Sequence, residues 1–95
     1  MKRKLKMLSL PNVTLVDVRT VMEYQSGSVA NSINIPMDEV VERLEELKQM
    51  EPMILFCRSG NRSEQVVNYL KQMGLKDIEN GGGWLELNAI INEQS

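Results

Sequence analysis

The chain has 95 residues, of which 42% are hydrophobic and 25% charged, and carries a net charge of −2. This describes a single small domain spanning residues 1–95, with a modest core and no electrostatic reason to bind nucleic acid. One cysteine and no histidine exclude an internal disulfide and any Ser-His-Asp or Cys-His catalysis within the chain, and leave zinc a single soft ligand.

The first residues, Met1-Lys2-Arg3-Lys4-Leu5-Lys6, are basic, and the apolar stretch after them is cut off by Pro11 before it reaches the length of a secretory core. No run is long enough to cross a membrane. A solvated terminus on a cytoplasmic protein is expected, with neither membrane nor nucleic acid as partner. Val13–Val18 is β-branched and apolar, as a central strand is. Arg19 ends it. Thr20-Val21-Met22-Glu23 matches a capping box that opens a short helix through Gln25, with Gly27 as the stop. Ser32-Ile33-Asn34-Ile35 is a second strand closed by Pro36. Asp38 is placed to cap a helix from Glu39 to Met50, with Val40, Val41, Leu44 and Leu47 inward and Glu42, Glu45 and Glu46 on a solvated face.

Met53–Phe56 is a short, unbroken apolar run bounded by Pro52, the pattern of a buried strand. It leads directly into Cys57. Arg58-Ser59-Gly60-Asn61-Arg62 is too polar and too rich in turn formers to continue it. The spacing Val66, Val67, Leu70, Met73 predicts a helix, ended by Gly74 with Leu75 making the hydrophobic contact. Lys76–Glu79 reads as a weak strand or edge, Asn80-Gly81-Gly82-Gly83 as a flexible turn, and Trp84 to Ile91 as a last helix, with Leu85, Leu87, Ile90 and Ile91 apolar. Strands alternating with helices predict an α/β fold with a mostly parallel sheet and helices on both faces.

A lone buried cysteine is often no more than a small hydrophobe. Cys57, however, stands at the carboxyl end of a strand, where open α/β sheets bind ligands. Gly60 permits the left-handed turn that points successive amides inward as an anion-binding nest. The following helix aims its positive end at the same point, and Arg58 and Arg62 add charge. Ser63 reads as the cap of that helix, since nothing nearby could deprotonate it. Arg19 can pair with Glu23 or Asp17 and tie the strand end to the next turn. Trp84 reads as core or pocket wall.

Cys57-Arg58-Ser59-Gly60-Asn61-Arg62-Ser63 resembles the active loop of rhodanese-like sulfurtransferases. Leu15-Val16-Asp17-Val18-Arg19 followed by Glu23-Tyr24 resembles the family's D-V-R…E-Y/F segment. Ser32-Ile33-Asn34-Ile35-Pro36 resembles its A-I-N-I-P, and Gly82-Gly83-Trp84 its final G-G turn. The likeness covers about residues 13 to 91. It implies a three-layer rhodanese-like fold of four to five strands; four are expected, because residues 1–12 have room for only one short element. It also implies a thiosulfate sulfurtransferase without metal or organic cofactor, in which Cys57 forms a persulfide. Arg58, Ser59, Gly60, Asn61, Arg62 and Ser63 would bind the substrate. The donor would be a thiosulfate-like anion, and the acceptor cyanide, a thiol or a partner protein. The family's G-H-I-x-G-A segment departs here to Gly27-Ser28-Val29-Ala30-Asn31-Ser32, without its His. The spacing from Cys57 to Arg62 is C-x4-R, whereas phosphatases and arsenate reductases of the same fold use C-x5-R, a position filled here by Ser63. The reading from a different class is a binding or redox-sensing module that keeps the thiol without turnover.

Overall fold

In the computed structural model, which describes residues 5–94, four strands form one parallel sheet in the order β2-β1-β3-β4. The strands are β1 (Thr14–Asp17), β2 (Ile33–Asn34), β3 (Met53–Cys57) and β4 (Ile78–Gly83). The helices are α1 (Val21–Ser26), α2 (Leu44–Lys48), α3 (Asn61–Gln72) and α4 (Trp84–Gln94). β1 lies inside the sheet as its β-branched sequence predicts, and β3 is buried along its whole length. Residues alternate between faces along β3. Met53, Leu55 and Cys57 pack with Val66, Val67 and Leu70 of α3 and Leu47 of α2, whereas Ile54 and Phe56 pack with Leu87 and Ile90 of α4. Two apolar cores on either side of one sheet make the three layers.

Several terminators behave as their chemistry demands. Thr20 and Glu23 form the expected capping box, and Gly27 ends α1. α3 ends in a Schellman motif: Gly74 takes φ 101°, its amide donates to Lys71 O, and the Leu75 amide donates to Leu70 O. Asn31 adopts φ 67°, the left-handed conformation that an Asn tolerates. One short 3-10 turn, Lys6–Ser9, precedes β1. The basic start lies largely outside the described residues.

Four expectations are corrected. The helix expected from Glu39 to Met50 is a 3-10 turn, Met37–Glu39, then irregular turns and the short α2. Asp38 lies inside that turn and caps nothing; Val40 and Val41, both poor helix formers, occupy the break. Asn80-Gly81-Gly82-Gly83 is not a flexible turn. It forms the last four residues of β4, paired to β3 through Leu55↔Asn80, Phe56↔Gly82 and Cys57↔Gly83, with Gly81 as the extra residue of a bulge. Ser63 does not cap α3, because the left-handed Gly60 is the N-cap and Ser63 stands in the first turn. Val41, expected inward, is 67% exposed, and Leu85, expected to make apolar contacts, is 68% exposed.

Candidate active site

The carboxyl ends of β1 and β3 meet at one end of the sheet. Cys57 closes β3, and Arg58-Ser59-Gly60 carries the chain into α3. Gly60 sits at φ 97°, and this turn swings the following amides back onto the sulfur. Cys57 Sγ accepts from the Gly60 amide at 3.0 Å and from the Ser63 amide at 3.4 Å, and the Ser63 hydroxyl also stands 3.4 Å from it. The side chain is buried beneath the loop, at the first turn of a 12-residue helix whose positive end faces it. Burial alone pushes the thiol up. Hydrogen bonds from the Ser63 hydroxyl and from the amides of Ser63, Ser59 and Gly60 outweigh it and leave the thiol below its ordinary range. The loop therefore favours the anionic form of this sulfur without an imidazole.

The loop can turn this tightly because it lies on backbone. A Cβ at Gly83 would stand 2.6 Å from the Arg58 carbonyl oxygen, and one at Gly60 would stand 3.2 Å from Gly82 Cα. Gly82 and Gly83 of β4 are thus a ledge without side chains, required by the close approach of the loop, whereas a Cβ at Gly81 would meet Ile54 and Leu87 of the core. Asn80, on the same strand, fastens the loop to it. Its Oδ1 accepts from the Ser63 hydroxyl (2.7 Å) and the Gly82 amide (2.9 Å). Its Nδ2 donates to the Gly60 carbonyl and to Glu64, both at 3.1 Å. Sequence reasoning missed Asn80, because an Asn before three glycines has the composition of a turn.

The loop residues expected at the site are not equivalent. Ser59, Gly60 and Ser63 turn amides to the sulfur, whereas Arg58 and Asn61 lie exposed at the surface of the loop. Arg62 is engaged within the fold, donating to both carboxylate oxygens of Glu23 at 2.8 and 3.0 Å. Glu23 also accepts from the Thr20 amide and hydroxyl, so one carboxylate starts α1 and anchors α3. The Arg62 guanidinium is the main cause that holds the Glu23 carboxyl at about 2.

A second ion pair lies at the end of β1. Arg19 Nε donates to both Asp17 oxygens at 3.0 Å, its Nη2 donates to Asp17 Oδ2 at 2.7 Å and to the Gly27 carbonyl at 2.6 Å, and its guanidinium lies 4.9 Å from the centre of the Trp84 ring. Of the two partners open to Arg19, Asp17 is the one it takes. Ser28, at the position where the family pattern has His, donates its hydroxyl to Asp17 Oδ2 at 2.7 Å. Among the described residues no group of three or more Cys, His, Asp or Glu is placed to hold a metal ion.

Comparison with known proteins settles the family. The rhodanese-like domain family matches residues 2–89. The chain belongs to the rhodanese-like family. A rhodanese-type relative, the thiosulfate sulfurtransferase PspE of Escherichia coli, is 36% identical over 70 residues, covering 72% of this chain and 67% of PspE. A sulfurtransferase of Allochromatium vinosum is 35% identical over 69 residues, covering 73% of this chain and 64% of its own length. The solved structure of an Escherichia coli rhodanese with anions superposes with a TM-score of 0.70 at 32% identity, covering 78% of this chain and 89% of that one. Relatives can be much longer: the match spans 42% of Bacillus subtilis YrkF, a candidate sulfur carrier.

Proposed function

We propose that the protein is a sulfurtransferase that carries sulfane sulfur on Cys57. The convergence of the Gly60 and Ser63 amides and the Ser63 hydroxyl on Cys57 Sγ supports this reading most directly. In the first half-reaction the thiolate attacks the outer sulfur of a thiosulfate-like donor. A sulfur–sulfur bond forms to Cys57, the donor's own bond breaks, and its electron pair leaves on sulfite. In the second, cyanide or a thiolate attacks the outer sulfur of the persulfide and Cys57 departs as a thiolate. The inward amides stabilise sulfur anions in both resting forms, so one difficult transfer becomes two easier ones. The route requires no metal or organic cofactor. With Arg62 committed to Glu23, the exposed Arg58 is the loop cation left to meet the donor, and Ser59, Gly60, Asn61 and Ser63 frame it.

Thiosulfate as donor is supported by PspE being named for it, and an anionic ligand by the anions of the Escherichia coli rhodanese. A protein acceptor is the natural extension, given a relative named as a candidate sulfur carrier. The setting is a reducing compartment, the cytoplasm, where a lone thiol survives. No helix among the described residues is long and apolar enough to cross a membrane. The phosphatase alternative is disfavoured by Ser63, which turns inward where phosphoryl transfer would use an arginine fork.

The test is intact mass after incubation with thiosulfate. The expected product is the protein plus one sulfur atom, removed by cyanide with release of thiocyanate and absent in Cys57→Ser. Turnover in Cys57→Ser equal to wild type would overturn the mechanism. No adduct with any persulfide donor would make the protein a binding or redox-sensing module instead.

A further inference from the structure

Asn80 holds a defined amide orientation. Its Nδ2 faces two groups that only accept, the Gly60 carbonyl and the Glu64 carboxylate, and its Oδ1 faces the Gly82 amide, which only donates. Reversing the amide would set donor against donor and acceptor against acceptor. Oδ1 therefore faces the Ser63 hydroxyl at 2.7 Å and can only accept from it. The same hydroxyl stands 3.2 Å from the Gly60 carbonyl and 3.4 Å from Cys57 Sγ. A hydroxyl has a single proton to give. While Asn80 takes it, Ser63 turns lone pairs to the sulfur, an arrangement that suits a thiol and opposes a thiolate. Once the sulfur is anionic, the hydroxyl gains a charge-assisted bond by turning to it.

We propose that Asn80 is a positioning residue that competes with Cys57 for the Ser63 proton and so sets how readily the sulfur ionises. The proposal rests on Cys57 as the reacting sulfur, but on no particular donor or acceptor. Other charges also bear on Cys57. Arg62 on α3 lies within electrostatic reach of the sulfur, with Glu23 of α1 and Asp17 of β1 acting on Arg62; Arg58 is the next residue in the chain, and Glu64 binds the Asn80 amide. None of them accepts the Ser63 proton, so only the Asn80 effect should depend on Ser63.

The experiment titrates the ultraviolet absorbance of the thiolate, read against Cys57→Ser, in wild type, Asn80→Ala, Ser63→Ala and the double variant. Asn80→Ala should lower the midpoint by about half a unit to one unit, roughly a three- to tenfold change in the ionisation constant. Ser63→Ala should raise the midpoint, and in that background Asn80→Ala should have no effect. An Asn80→Ala shift of equal size with and without Ser63, or no shift in either, overturns the proposal. Should Asn80→Ala fail to unfold cooperatively, the isosteric Asn80→Asp replaces it. Its stronger acceptor should raise the midpoint, by an amount that shrinks in Ser63→Ala; an unchanged or lowered midpoint overturns the proposal. Sulfur transfer does not enter this readout, so a protein without transferase activity still passes or fails it.

Discussion

Glu23 receives hydrogen bonds from two directions at once, from the Thr20 amide and hydroxyl at the start of α1 and from both terminal nitrogens of Arg62 on α3. Its carboxyl is held at about 2, against an ordinary 4.5. A carboxyl depressed on folding stabilises the fold above its unfolded value, and that contribution is lost as pH falls through the folded value. Glu23→Gln keeps a capping-box side chain but removes the charge. It should be less stable than wild type by about 1 kcal/mol at neutral pH, the upper end of the scale for a partly exposed ion pair. The difference should close between pH 4.5 and about 2 in denaturant titrations. A gap that persists unchanged to the acid end would show that the pair adds nothing. Sequence reasoning identified Glu23 as a capping residue from its spacing to Thr20. Its bond to Arg62 joins positions 39 residues apart, and no local pattern encodes that. Cys57 stood out as the candidate site because the turn glycine, the helix start and the apolar run adjoin it in the chain.

Among the elements, the active loop and the end of β4 form a single unit. Gly83→Ala would place a Cβ 2.6 Å from the Arg58 carbonyl, against backbone that cannot rotate away. We expect a loss of about 1–3 kcal/mol from overpacking, and a fall in sulfur transfer of at least about tenfold as the amides leave the sulfur. Gly74→Ala is the control. It meets nothing within 4 Å and costs only its left-handed backbone at φ 101°, about 1 kcal/mol, with transfer unchanged. Normal activity in Gly83→Ala would show that the loop does not depend on the ledge. β1, β3, α1 and the stop of α3 were readable because their signals are local: β-branched runs, a capping box, a Gly with a hydrophobic residue behind it. Only the start of β4 was, as a weak edge strand over Lys76–Glu79; its glycines are selected by what lies across them rather than by strand propensity. The expected helix through Val40 and Val41 failed for a related reason. The apolar spacing continues past the break, but only Val40 of that pair finds the core.

At the scale of the whole molecule, stability resides in two cores separated by the sheet. Leu47 is fully buried in the larger one and Val41, in the same segment, is 67% exposed. Leu47→Ala should cost about 2–5 kcal/mol, and Val41→Lys should stay within about 0.5 kcal/mol of wild type, by denaturant midpoint. Comparable losses in the two would place Val41 in a contact surface that the isolated chain does not display. The layer architecture was legible from the alternation of elements and the strand count from the family resemblance; the order β2-β1-β3-β4 was not, since it depends on which crossovers the chain takes. Trp84 belongs to this larger picture. It is the only tryptophan of the chain, it packs into the second core, it directly follows the glycine ledge, and the Arg19 guanidinium covers its ring. Its fluorescence is therefore an intrinsic optical probe: emission arises from one indole, polarised by a neighbouring cation and set one residue from the strand under the active loop. Any event that separates the two cores, or lifts the loop from the sheet, can be followed in real time without attaching a dye.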